Sequence, residues 1–157
     1  MKELLGSIVF QTVISGVFVF VLSELLQKFI LEPVKNHKEI IAKIDNKLKL
    51  YGNIITNPPV GNQIPPIYFE VQSVLRELSC DLEVTYKTIP LRRFLSWLKF
   101  INYSFNVKNS ASSLIFLSNS VTQKNESIEI NGRKSNLALL ASDKIDEVRT
   151  ALKIESL

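Results

Sequence analysis

The sequence predicts an all-α fold: an N-terminal transmembrane helix that continues into a kinked amphipathic helix, then a cytoplasmic four- or five-helix bundle. Three observations lead there. Leu4–Leu22, "LLGSIVFQTVISGVFVFVL", is an uncharged apolar run, close to the ~20 residues an α-helix needs to cross a hydrocarbon core. Apolar residues then recur at helical spacing in segment after segment, and period-2 alternation is confined to "SIEI". Proline and asparagine clusters punctuate the periodic stretches. The chain divides accordingly into a transmembrane helix over 1–23, a juxtamembrane amphipathic helix over 24–56, a Pro-rich linker over 57–66 and a helical bundle over 67–157.

The first element reads as a retained anchor. A signal peptide has a shorter apolar region that ends in small residues, whereas this run ends in the bulky "VFVFVLSELL". Lys2 and Glu3 cancel before the span, and Lys28, Lys35, Lys38 and Lys43 follow it. By the positive-inside bias the N-terminus lies outside and the C-terminal domain in the cytoplasm, with the inner (cytoplasmic) membrane as the site.

Pure anchoring does not call for glutamine. Ser7, Gln11 and Ser15 fall at i, i+4 and i+8, on one helix face that Phe18 and Leu22 continue. An amide without a partner in hydrocarbon costs several kcal/mol, on the order of small-molecule transfer values, so Gln11 is expected to meet another protein surface or water. With one span per chain, that surface belongs to a second copy or to a partner. Two readings follow. In one, Gln11 and the small residues Ser7, Ser15 and Gly16 hold helices together. In the other, several copies surround a lumen that Phe18 or Leu22 constricts, a geometry able to gate by dewetting.

The next element keeps helical periodicity to about Thr56. Ile30, Val34, His37, Ile41, Ile44, Leu48, Tyr51 and Ile55 alternate in steps of four and three, a heptad seam. It serves packing against the chain's own domain, a coiled coil between subunits, or both, since Ile40 and Ile54 widen the stripe beyond a strict two-position seam. Pro33 removes a backbone donor and crowds the preceding turn, which predicts a kink near the membrane surface.

"TNPPVGNQIPP" is the linker, and Pro66 suits the first position of a helix. Ile67, Val71, Val74, Leu75, Leu78, Leu82, Tyr86 and Ile89 form the next apolar face, ended by Pro90. "LRRFLSWLKFINYSF" gives Leu91, Phe94, Leu95, Leu98, Ile101 and Phe105 as a third face. Ala111, Leu114, Ile115 and Val121 give a fourth, Asn131-Gly132 is a turn signal, and Leu137, Leu140, Ala141, Ile145, Val148 and Leu152 close the bundle. Cys80, among apolar residues, is expected to be a small buried core residue, and a lone thiol suits a reducing compartment.

Catalytic signatures are missing, so the sequence points away from an enzyme and calls for no cofactor. The five glycines are scattered and build no phosphate loop. One histidine and one cysteine build no metal cluster. Nineteen Lys and Arg against fifteen acids give +4, too mild and too evenly spread for binding of a nucleic-acid polymer. Arg92, Arg93, Lys99, Arg133 and Lys134 stand apart from adjacent acids, with Trp97, Phe100 and Tyr103 among the first three. Cations and aromatic faces together suit a small anionic nucleotide. The plainer reading is a soluble surface over core aromatics.

A single N-terminal span, "LSELLQKFILEPVKNHKEIIAKIDNKLKLYGNI", a Pro-rich break, "LIFLSNSV" and a closing "IDEVRTALKI" resemble a set of uncharacterised bacterial single-span helical membrane proteins. The build is similar to Hailong-type anti-phage membrane effectors, encoded beside nucleotide-signalling enzymes. The resemblance spans nearly the whole chain, is carried by apolar-helix motifs and brings no catalytic residue. It implies a homo-oligomeric channel in the lipid bilayer, held shut or opened by a nucleotide from a partner enzyme, and lethal or growth-arresting when active. The alternative is a non-conducting anchored adaptor whose bundle docks a partner protein.

Overall fold

The computed structural model describes residues 8–57, 59, 63–102, 104–123, 127–130 and 133–154. Its first element, α1 (Ile8–Leu26), has 19 residues, about 28 Å at 1.5 Å per residue. It is long and apolar enough to cross a membrane, and none of its residues is buried.

Pro33 disturbs the helix one turn ahead of itself. Gln27–Leu31 form a π-helical segment in which the Glu32 N–H donates to the Gln27 carbonyl, five residues back. A proline ring at position 33 would crowd the Phe29 carbonyl of an ideal α-helix, and a wider turn moves that carbonyl away. Where the sequence predicts a kink, the helix carries a π turn and runs on as one helix, Ile8–Thr56. α2 (Glu32–Thr56) then continues for 25 residues, with Pro33 in its first turn.

The seam of α2 is used inside the chain. His37, Ile44, Leu48 and Ile55 are buried, and Ile30, Val34, Ile41 and Tyr51 are partly so. They face α3 (Pro66–Thr88), which starts on Pro66 and runs antiparallel to α2. His37 meets Thr85 at one end, and the Tyr51 hydroxyl donates to Glu70 Oε1 at the other.

After α3 comes α4 (Arg92–Trp97), a six-residue helix bounded by Leu91 at φ 49° and followed by Lys99 at φ 62°. The long third amphipathic helix read from the sequence does not form. A non-glycine residue in the left-handed region ends a helix, and Lys99 does so before Ile101 and Phe105 join the face. Of the expected face only Leu95 and Ile101 are buried; Leu91, Phe94, Leu98 and Phe105 are exposed.

α5 (Ser104–Ser120) lies antiparallel to α3. Ser79 Oγ donates to the Ala111 carbonyl, Arg76 to Ser118 Oγ and Asn119 Oδ1, and Gln72 to Thr122 Oγ1. Its core face mixes Val107, Ala111, Leu114 and Leu117 with buried serines. Two of those serines settle their hydroxyls on carbonyls of their own helix, Ser118 on Ile115 and Ser120 on Leu117.

A hairpin follows. β1 (Ser127–Ile130) pairs antiparallel with β2 (Arg133–Asn136), in register from Ser127↔Asn136 to Ile130↔Arg133. The "SIEI" alternation is therefore a strand. The Asn131-Gly132 turn signal falls outside the described residues.

Asn136 caps α6 (Leu137–Leu152) by accepting from the Ala138 N–H at 3.0 Å. Leu137, Ala141, Ile145, Val148 and Leu152 are buried on one face of α6. α6 packs on α5 and α2, and α3 on α2 and α5. The result is an up-down-up-down four-helix bundle of α2, α3, α5 and α6 around one core.

This path gives the bundle two ends. His37 is the first buried residue after the apolar helix, so the end nearest α1 gathers the start of α2, the ends of α3 and α6, α4 and the start of α5. The hairpin lies at the far end.

Candidate functional site

On α1 most polar side chains turn back on their own helix. Thr12 Oγ1 donates to the Ile8 carbonyl at 2.9 Å, Ser15 Oγ to those of Gln11 and Thr12, and Ser23 Oγ to that of Val19 at 2.8 Å. Hydroxyls can do this because they are short enough to reach the carbonyl one turn back. The Gln11 amide, with two donors and an acceptor oxygen, has no hydrogen-bond partner among the described residues. Gln11, Ser15, Phe18 and Leu22 share one stripe of the helix, all exposed, with Phe18 at 66%. A Cβ added at Gly16 would meet nothing within 4 Å, so no neighbour among the described residues explains its smallness. Ser7, the first member of the expected face, falls outside the described residues.

The basic residues do not converge. Arg92, Arg93 and Lys99 are exposed together on α4 and its exit. Arg133 and Lys134 are on β2, which leads into the start of α6, whereas it is the end of α6 that meets the α4 region. The 16 residues of α6, about 24 Å, separate the two groups. The backbone path thus sets β2 and α4 at opposite ends of the bundle.

Around α4 the aromatics are not in the core. Trp97 is 70% exposed, and Phe94, Phe100 and Phe105 are more than half exposed. The rings of Phe94 and Trp97 lie 6.0 Å apart. Arg92 sits 5.9 Å from the Tyr86 ring and donates to the Lys87 carbonyl at 3.3 Å. The residues turned inward are Leu95, Ser96, Ile101 and Asn102. Ser96 Oγ donates to the Asn102 carbonyl at 3.1 Å, and Asn102 Nδ2 to the Leu152 carbonyl at 3.2 Å. The sequence puts Phe94 and Phe105 on an apolar face and offers Trp97 and Phe100 either to a nucleotide or, more plainly, to the core. The signal against that was in "LRRFLSWLKF", where bases alternate with Leu, Phe and Trp as on a helix lying at a membrane surface.

Next to this segment, His37 is fully buried. Its Nδ1 lies 3.1 Å from Thr85 Oγ1. The Thr85 hydroxyl already donates to the Asp81 carbonyl at 2.7 Å, so Oγ1 accepts and His37 carries its proton on Nδ1. Nε2 is left as a buried acceptor with no partner among the described residues. The Tyr86 ring is 5.6 Å from the imidazole. Burial pushes the His37 pKa from 6.5 down to about 4, because a charged ring would lose its hydration. His37, Lys38, Ile41, Phe100, Ile101, Asn102 and Leu152 line a cavity of about 150 Å³.

Cys80 is exposed, contrary to expectation. The core-facing position is the neighbouring Ser79, one residue and 100° away. Among the described residues no three His, Cys, Asp or Glu side chains are placed to hold a metal ion. No protein-family model, curated protein or solved structure matches the chain.

Proposed function

We propose that the chain is a homo-oligomeric membrane effector whose α1 helices cross the bilayer, meet along the Gln11 stripe and enclose a pore. The observation that carries this reading is the Gln11 amide. It stands on an apolar helix that buries nothing against its own chain, while the neighbouring hydroxyls are satisfied locally. Even one intrachain contact would leave part of its donor and acceptor capacity open. In hydrocarbon those groups favour a second copy or water over lipid. Phe18 and Leu22, further along the stripe, supply an apolar constriction of the kind that gates by dewetting.

On this reading the bundle lies in the cytoplasm and transmits a signal to the spans through the π turn. A small nucleotide as that signal, and a role in anti-phage defence, rest on the resemblance of the sequence pattern. The Arg92, Arg93 and Lys99 group is the candidate anion contact within one subunit.

Membrane potential and growth of cells expressing the protein test the proposal. Wild type is expected to depolarise cells when triggered, Gln11→Leu to lose that response and Phe18→Ala to leak without a trigger. If all three leave potential and growth unchanged, there is no pore. If a poly-Leu replacement of Leu4–Leu22 preserves function, the protein is a non-conducting anchored adaptor.

A further inference from the structure

We infer that the α4 segment, residues 91–102 with Phe105 beside it, is a membrane-surface element that seats the α1-proximal end of the bundle on an anionic lipid leaflet. The inference rests on the reading of α1 as a bilayer span.

Three independent observations meet at this segment. The first is its inverted polarity. Ser96 and Asn102 are buried and tie the segment to itself and to the end of α6, while Leu91, Phe94, Trp97, Leu98, Phe100 and Phe105 face outward. A loop packed for water would bury the rings and expose the amide and hydroxyl. This arrangement is specified rather than slack. Leu91 and Lys99 are both held at positive φ, a conformation that persists in non-glycine residues only where the surroundings enforce it. Side chains that leave a pinned backbone in this way face a second apolar medium.

The second is position. Phe100, Ile101 and Asn102 share a cavity with His37, Lys38 and Ile41, at the first fully buried position of α2. The apolar helix stays exposed through Phe29 and Leu31. From Leu31 to Lys38 is about 10 Å along a helix axis, comparable to the depth of the interfacial region of a bilayer. The patch is thus continuous with the element that enters the membrane.

The third is charge. Arg92, Arg93 and Lys99 interrupt the apolar side chains, and Lys38, Lys108 and Lys153 are exposed at the same end. Cations beside Trp and Phe match an interface whose headgroups are negative.

Trp97 is the single tryptophan of the chain, so its fluorescence reports this segment alone. The full chain is reconstituted into vesicles of phosphatidylcholine with phosphatidylglycerol, with and without brominated acyl chains. In the same vesicles, resistance to alkaline carbonate extraction reports the span. The expected result is quenching of Trp97 by brominated lipid, with acrylamide quenching several-fold weaker than in the urea-unfolded chain. Arg92→Glu/Arg93→Glu should weaken the lipid quenching several-fold and leave carbonate resistance intact. A carbonate-resistant chain whose Trp97 is open to acrylamide and untouched by brominated lipid overturns the inference. So does a Trp97 shielded from acrylamide yet unquenched by brominated lipid, which marks contact with another copy. Release by carbonate sinks the span reading, and Trp97 quenching before the wash still decides the surface contact.

Discussion

His37 is held neutral by its surroundings. Its one proton goes to Thr85, its other nitrogen faces no donor among the described residues, and the ring is fully buried. The folded chain therefore keeps the ring unprotonated down to about pH 4, while the unfolded chain protonates near 6.5. Between those values the unfolded state binds more protons. Stability is complete above about pH 6.5 and falls as pH drops towards 4, by roughly 3 kcal/mol in all. Urea unfolding of the detergent-solubilised chain at a series of pH values measures this slope. His37→Leu should flatten that part of the profile and stay within about 1 kcal/mol of wild type at neutral pH, since the unpaired nitrogen disappears and Thr85 keeps its bond to Asp81. A second contrast belongs to α3. Ser79→Ala should cost about 1 kcal/mol by removing the buried bond to Ala111, and Cys80→Ser should change stability by less than ~0.5 kcal/mol. Its place among Leu78, Leu82 and other apolar residues pointed to Cys80 as a core residue. Helical phase decides otherwise, and it is readable only when the whole face from Val71 to Tyr86 is laid out.

At the scale of elements, the long periodic helices were legible, because α2, α3 and α6 each repeat one apolar stripe over four turns or more. In α2 the expected seam residues are the buried and half-buried ones. The sequence left open whether that seam lies within the chain or between chains, a choice made by α3 and α6 packing on it. α4 was misread because its period is broken by backbone conformation at Lys99, which no apolar pattern reports. The π turn before Pro33 was legible as a disturbance and not as a type of turn. A π turn holds one residue more than an α turn, so removing it rotates α1 against the bundle by about 100°. Pro33→Ala permits a normal bond to the Phe29 carbonyl and favours that rotation. If the α1 helices meet as proposed, cysteines placed singly at positions 11, 15 and 18 in a Cys80→Ser background should cross-link between copies on one stripe. Adding Pro33→Ala should move the strongest cross-link off that stripe. An unchanged pattern would mean that the bundle does not set the rotational phase of the span.

The molecule as a whole is built of two parts that share one helix and little else. Every buried side chain among the described residues lies between His37 and Leu152, and α1 contributes none. The path of the bundle also divides the basic residues grouped in the sequence. Arg92, Arg93 and Lys99 lie before an odd number of bundle crossings and Arg133 and Lys134 after it, so an up-down-up-down path puts them at opposite ends. Their grouping in the sequence reading counted charges without counting helices. If the core owes nothing to α1, residues 27–157 should fold alone. Such a chain is expected to be helical by circular dichroism and to unfold cooperatively. Its midpoint should lie within about 4 °C of the full chain in the same detergent, the shift that ~1 kcal/mol produces at this size. Removing α1 does not cover the aromatic end of the bundle, so without detergent the fragment should self-associate or bind anionic vesicles. Arg92→Glu/Arg93→Glu should reduce the vesicle binding without moving the midpoint. A fragment that is unfolded, or whose midpoint falls much further, would show that the spans stabilise the bundle across subunits. The core would then belong to the oligomer rather than to the chain.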